Sequence, residues 1–137
     1  MLRRLRAAAS AALVLPLVIA ACGDGSSGIW PSAPRREGDG PVIALVGRDE
    51  LWLVNQGKQT VYTFVVDQES LALLDWAACV DARCSPIQPG AQRAVPIGGD
   101  SGLPRGHKAV VNWWYAVPGP ADGLVPGEIH SYVVQLQ

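Results

Sequence analysis

From Pro41 onward, short runs rich in Val, Leu, Trp and Tyr are separated by clusters of turn residues. The runs predict strands near 42–46 (VIALV), 50–55 (ELWLVN), 60–67 (TVYTFVVD), 71–77 (LALLDWA), 92–97, 109–117 (AVVNWWYAV) and 129–136 (IHSYVVQL). Breakers fall between them at Asn55 to Lys58, Pro86 to Gly90, Gly98 to Gly106 and Pro118 to Gly127. No segment sustains a 3.6-residue period with caps, so no long helix is expected. The stretch 69–78 also admits a helical turn or two.

Period-two alternation assigns faces within the strands. In 129–136 the core set is His130, Tyr132, Val134 and Leu136. In 60–67 the inward set reads as Tyr62, Phe64 and Val66, which turns Val61, Thr63 and Val65 outward. In 109–117 the inward set is Val111, Trp113, Tyr115 and Val117, with Asn112 and Trp114 on the opposite face. Adjacent tryptophans on one strand cannot share a side. An outward Trp114, with Asn112 and Val65 beside it, is therefore the candidate binding surface, because an exposed aromatic strip marks a contact site.

The N-terminal pattern is different in kind. Arg3, Arg4 and Arg6 precede an apolar run from Ala7 to Ala21, which ends in Ile19-Ala20-Ala21-Cys22. A basic start with a short apolar run reads as a secretory signal, too short for a retained membrane span. Its ending resembles the lipobox of bacterial lipoproteins: an aliphatic residue, two small residues, then cysteine. The resemblance implies that 1–21 is removed and that Cys22 becomes the lipidated N-terminus, palmitate among its acyl chains. It places the chain in the cell envelope, held to the membrane by lipid. Gly rather than Asp at position 23 favours the outer membrane where there are two. Residues 22–41 are rich in Gly, Ser and Pro and read as a flexible linker of roughly 20–25 Å root-mean-square span.

Cleavage would leave about 116 residues, enough for one core. Removing three arginines leaves 8 basic against 12 acidic residues, a net charge of −4. That balance argues against a nucleic-acid partner, whose binding rests on basic residues neutralising phosphates. With Cys22 lipidated, Cys79 and Cys84 remain as an even pair in an oxidising compartment and are expected to form a disulfide. The spacing is not C-x-x-C, so a loop staple is the reading in preference to a redox pair.

About seven short strands in 42–137 point to an all-β antiparallel sandwich. The strand spacing, Trp76 near Cys79, and Asn112-Trp113-Trp114-Tyr115 resemble an immunoglobulin-like β-sandwich. Two cysteines five apart cannot form the inter-sheet disulfide of antibody domains. The resemblance is to the architecture, which by itself implies no function.

Catalytic constellations are weak. Gly99-Asp100-Ser101-Gly102 resembles the nucleophile segment of chymotrypsin-like proteases, but His107 and His130 both follow the serine, whereas that family places its base before it. His107 and His130 with Asp100 or Glu128 would be the metal donors, and Lys108 beside His107 opposes a cation. Asp49-Glu50, Asp67, Glu69 and Asp75 fall at strand ends, where carboxylates are solvated, and nothing selects an acid pair. No catalytic residue, metal or cofactor is expected. The sequence reads as a lipid-anchored, non-enzymatic binding or adaptor module with an envelope protein as its possible partner. The alternatives are a carbohydrate or small-ligand binder using an exposed tryptophan, or a hydrolase of unrecognised type.

Overall fold

The computed structural model describes residues 34–137. The stretch read as a signal, Cys22 and the part of the expected linker up to residue 33 lie outside the described residues. Eight strands form: β1 (Arg35–Asp39), β2 (Val42–Val46), β3 (Glu50–Asn55), β4 (Val61–Asp67), β5 (Gln92–Pro96), β6 (Lys108–Pro118), β7 (Leu124–Pro126) and β8 (His130–Gln135). One sheet has the order β1-β2-β3-β5. In the other, β6 pairs with β4 on one side and with β7 and β8 on the other. All of these pairings are antiparallel. The fold is an all-β sandwich. Leaving β1 aside, β2-β3-β5 face β4-β6-β8, an immunoglobulin-like arrangement in which irregular chain and 3-10 turns between β4 and β5 take the place of one edge strand.

Turn chemistry sets the hairpins. Asp39 pairs with Val42 across Gly40-Pro41, and Gly40 takes φ +65°. A positive φ at the first turn position, with proline second, suits the two-residue hairpins whose twist matches the strands. At the same end of the fold, β6 passes through Gly119–Gly123 into β7 and then β8. Trp113 opposes His130 and Ala116 opposes Pro126, so two residues of β6 face three of its partner. The extra residue is a β-bulge within Gly127–Ile129.

Val42, Ala44, Val46, Leu51 and Leu53 from one sheet meet Val61, Ala109, Val111, Trp113 and Val134 from the other. Fully burying a side chain such as Leu51 or Leu53 contributes roughly 1.5–3 kcal/mol, and these positions fix the strand registers. Asn55 is the polar exception. It is wholly buried, its Nδ2 donates to the carbonyls of Gln59 (2.8 Å) and Ile87 (2.9 Å), and its Oδ1 accepts from Gly57 N–H (2.9 Å).

Four expectations about the elements need correction. Leu124–Pro126, inside the cluster read as a breaker at Pro118 to Gly127, pair with the end of β6 as β7. Residues Arg35–Asp39, within the stretch read as linker, form β1 on the edge of the first sheet. Their Arg-Arg-Glu-Gly-Asp composition carries no strand signal; pairing with the apolar β2 recruits them. Residues 71–77 do not form a strand: Leu71–Leu73 is a 3-10 turn, followed by irregular chain. The faces of β4 are reversed. Register places Val61, Thr63 and Val65 with Tyr115, Trp113 and Val111 on the inner side, and Tyr62, Phe64 and Val66 on the outer side. Both faces of β4 are covered, so apolar character alone does not distinguish them. The inward sets in β6 and β8 are as the alternation predicts, although Val117 at the end of β6 is exposed.

Candidate binding site

The outer face of the second sheet carries the aromatic side chains that matter. Tyr62 opposes Trp114 and Phe64 opposes Asn112, so antiparallel pairing places all four on one surface. The chain from Gln68 to Ser85 then crosses that surface. Trp76 stacks on Phe64 with ring centroids 4.6 Å apart and planes 23° apart, and lies 6.1 Å from Trp114. Trp114 Nε1 donates to the carbonyl of Cys79 at 2.8 Å. Thr63 Oγ1 donates through the sheet edge to the carbonyl of Ser85 at 3.1 Å. Cys79 and Cys84 are disulfide-bonded, Cα atoms 5.7 Å apart, and close a small ring over the tryptophan.

The predicted exposed strip is therefore not exposed. Trp114 does lie on the face opposite Trp113, yet its exposure is 0%. Asn112 is also buried, accepting from Ser131 Oγ at 2.7 Å and donating to the Phe64 carbonyl at 3.3 Å. Val65 lies on the inner face, packed against the core. The three residues do not form one surface.

What remains open is a cleft of about 400 Å³ walled by Phe64, Trp76, Ala77, Ala78, Arg83 and the disulfide. Arg83 pairs with Asp81 at 2.7 Å and also donates from Nε to both carboxylate oxygens. The Arg83 hydrogen bonds hold the Asp81 carboxyl below the usual carboxylate range, and Asp81 raises the guanidinium in turn. Arg83, held by Asp81, thus stands at the wall of the cleft beside the aromatic pair. Aromatic stacking and a few fixed polar groups are what a small-ligand cleft requires. Trp76, Phe64 and Arg83 were not read from sequence as site residues. The available signal was Trp76 three residues before a cysteine pair, which marks a staple laid over something apolar.

Comparison of the chain with models of protein families, with curated proteins and with solved structures finds no match.

Elsewhere, His107 Nδ1 lies 3.1 Å from Asp67 Oδ1, and Asp67 Oδ2 accepts from the Ser70 backbone and hydroxyl, both at 3.2 Å. Donor atoms of Asp67, Glu69 and His107 lie within 4.8 Å of one another. His107 is thus brought to Asp67 and Glu69 rather than to His130, Asp100 or Glu128. With Asp67 already engaged, Glu69 and His107 Nε2 are the free donors, fewer than the three or four protein ligands of a zinc site. His130 stacks on Trp113 at 4.2 Å. Ser101 lies in the exposed loop between Ile97 and Leu103, and each histidine is committed to a different partner.

Proposed function

We propose that this chain is a lipid-anchored, non-catalytic binding module of the bacterial cell envelope, and that it contacts its ligand at the cleft walled by Trp76. The lipobox-like ending at Cys22 supports the anchor. One observation carries the binding reading: an aromatic pair, Phe64 and Trp76, borders an open cleft beside the Asp81–Arg83 pair, on a framework stapled by a disulfide. A side chain presented by a stapled loop loses little freedom on binding, which favours affinity.

The adaptor form of this reading is tested by mild cross-linking in native envelopes, with Trp76→Ala alongside. A single dominant protein partner that disappears in the variant is the expected outcome. No partner in either sample removes the adaptor reading. Anchoring is tested separately by labelled-palmitate incorporation, which Cys22→Ser should abolish.

Arg83 at the cleft wall favours a second reading, a sugar ring stacked at Trp76 with a hydroxyl accepting from the guanidinium. Titrating wall glycans against intrinsic tryptophan fluorescence decides it. A saturable change lost in Trp76→Ala supports the sugar, and no change for any glycan counts against it.

A further inference from the structure

Edge strand β5 carries a charge where the fold calls for a hydrophobe. Arg93 pairs with Leu53 and Val95 pairs with Leu51, and both leucines are fully buried in the core. Residues directly opposite in an antiparallel pair share a face. Arg93 therefore points to the inner side of the sheet with Val95 and Ile97, which are 9% and 3% exposed. Its guanidinium has five donors, and its hydrogen bond from Nη1 goes to Thr63 Oγ1 at 3.3 Å, a long contact between neutral and charged partners. The ion pairs among the described residues involve Arg35, Arg83, Arg105 and His107, and leave Arg93 out. Burial pushes the guanidinium below its ordinary range, with no carboxylate offsetting the loss of water. The half-buried guanidinium has lost part of its water with no anion beside it, so a bound anion would add a charge-assisted hydrogen bond there.

The space in front of Arg93 has a definite character. A cavity of about 450 Å³ opens between the edges of β4 and β5. Its apolar lining includes Val65, Val95, Leu103 and Pro104, and the hydroxyl-bearing Ser70 and Ser101 lie on its border. Asp67 also lines it, but both carboxylate oxygens are occupied, by His107 and by Ser70. We propose that the mouth of the sandwich is a second binding site, separate from the Trp76 cleft. It takes a small organic carboxylate with an apolar body, the carboxylate on Arg93 and the body against Val65, Val95 and Leu103. Charge complementarity selects the head group, since the guanidinium fork matches a carboxylate. The cavity volume falls within the range of small-molecule sites.

The competing role for Arg93 is a guard: an inward charge on an edge strand bars another chain from pairing there. The two roles part in a titration of the intact protein with decanoate and with decanol, followed by amide and arginine Nε–H NMR shifts. The expected result is saturable shifts at Arg93, Val95 and Leu103 with decanoate, and at least tenfold weaker binding of decanol. Arg93→Gln should lose at least tenfold in decanoate affinity while keeping its thermal midpoint, and Arg93→Lys should retain part of it. Equal affinity for acid and alcohol, equal affinity in Arg93→Gln, or no shift at millimolar decanoate each overturns the proposal. The acid-versus-alcohol comparison needs no variant, so it stands even where a substitution perturbs folding.

Discussion

Trp114 Nε1 and the carbonyl of Cys79 are joined by a hydrogen bond of 2.8 Å across 35 residues of sequence. The bond ties the disulfide-bearing segment to the middle of β6. It also satisfies the one polar atom of an otherwise buried indole. Trp114→Ala should cost about 3–5 kcal/mol, the range for deleting a buried large aromatic. Trp114→Phe keeps most of the ring volume and leaves the Cys79 carbonyl without this donor, so its cost should be smaller, about 1–3 kcal/mol. Urea unfolding with an unchanged slope would measure both.

Replacing Cys79 and Cys84 together with serine should lower stability by about 2 kcal/mol, because so short a ring removes little entropy from the unfolded chain. The local effect should be larger than the global one. Arg83 is exposed within the ring, and apart from the Trp114, Thr63 and Trp76 contacts the segment is held by its own turns. Limited trypsin digestion should cut after Arg83 faster in the double variant. Identical cleavage rates would show that Trp76 packing and the Trp114 bond hold the segment without the disulfide.

Asn55→Asp should be among the most damaging single-atom changes available. The Nδ2 group donates to two carbonyls, and a carboxylate would face both with no hydrogen to give. Breaking those bonds and burying a charge should cost at least about 3 kcal/mol at neutral pH. The loss should shrink as pH falls and the new carboxyl protonates, which thermal unfolding at pH 4 and pH 7 would show.

Tyr132 gives the chain a signature at high pH. Its hydroxyl is buried and has no hydrogen-bond partner among the described residues. Burial, with the charges of Asp39 and Glu37 adding to it, pushes the phenol well above its ordinary range. Below about pH 10 the phenol is neutral in both folded and unfolded chains. Above that the unfolded chain releases the proton while the folded chain keeps it, so stability falls as pH rises. Tyr132→Phe should match or exceed the native stability at pH 7, and should decline less steeply between pH 9.5 and pH 11.

Much of the fold was legible because one face of most strands is unambiguous. Val111, Trp113, Val134 and Leu136 fall on the inner side as alternation predicts, and the breaker clusters Pro86–Gly90 and Gly98–Gly106 fall between strands, whereas Pro118–Gly127 contains β7. Legibility ends at the second sheet's outer face. There Phe64 and Trp114 are covered by a segment without strand or helix periodicity, so both sides of β4 read as apolar and its orientation inverts. Trp114 is on the predicted face for the reason given, but alternation says which side a residue takes and nothing about what lies over it. The role of Arg93 is not legible in the sequence for a similar reason. Its inward direction follows only from register with Leu53, a long-range fact that a local pattern does not contain.

The small ring over Trp114 also sets an order of events. Cys79 and Cys84 are five residues apart, so their bond can close as soon as that stretch is in an oxidising compartment. The seat for the ring needs β4 and β6 already side by side, and β6 begins 24 residues after Cys84. The cover can thus be shaped before it has a place to dock, and its docking waits on the long-range pairing of the sheet. A chain caught before that step carries Phe64, Trp76 and Trp114 uncovered together, and this is the interval in which it is most exposed to association with other chains.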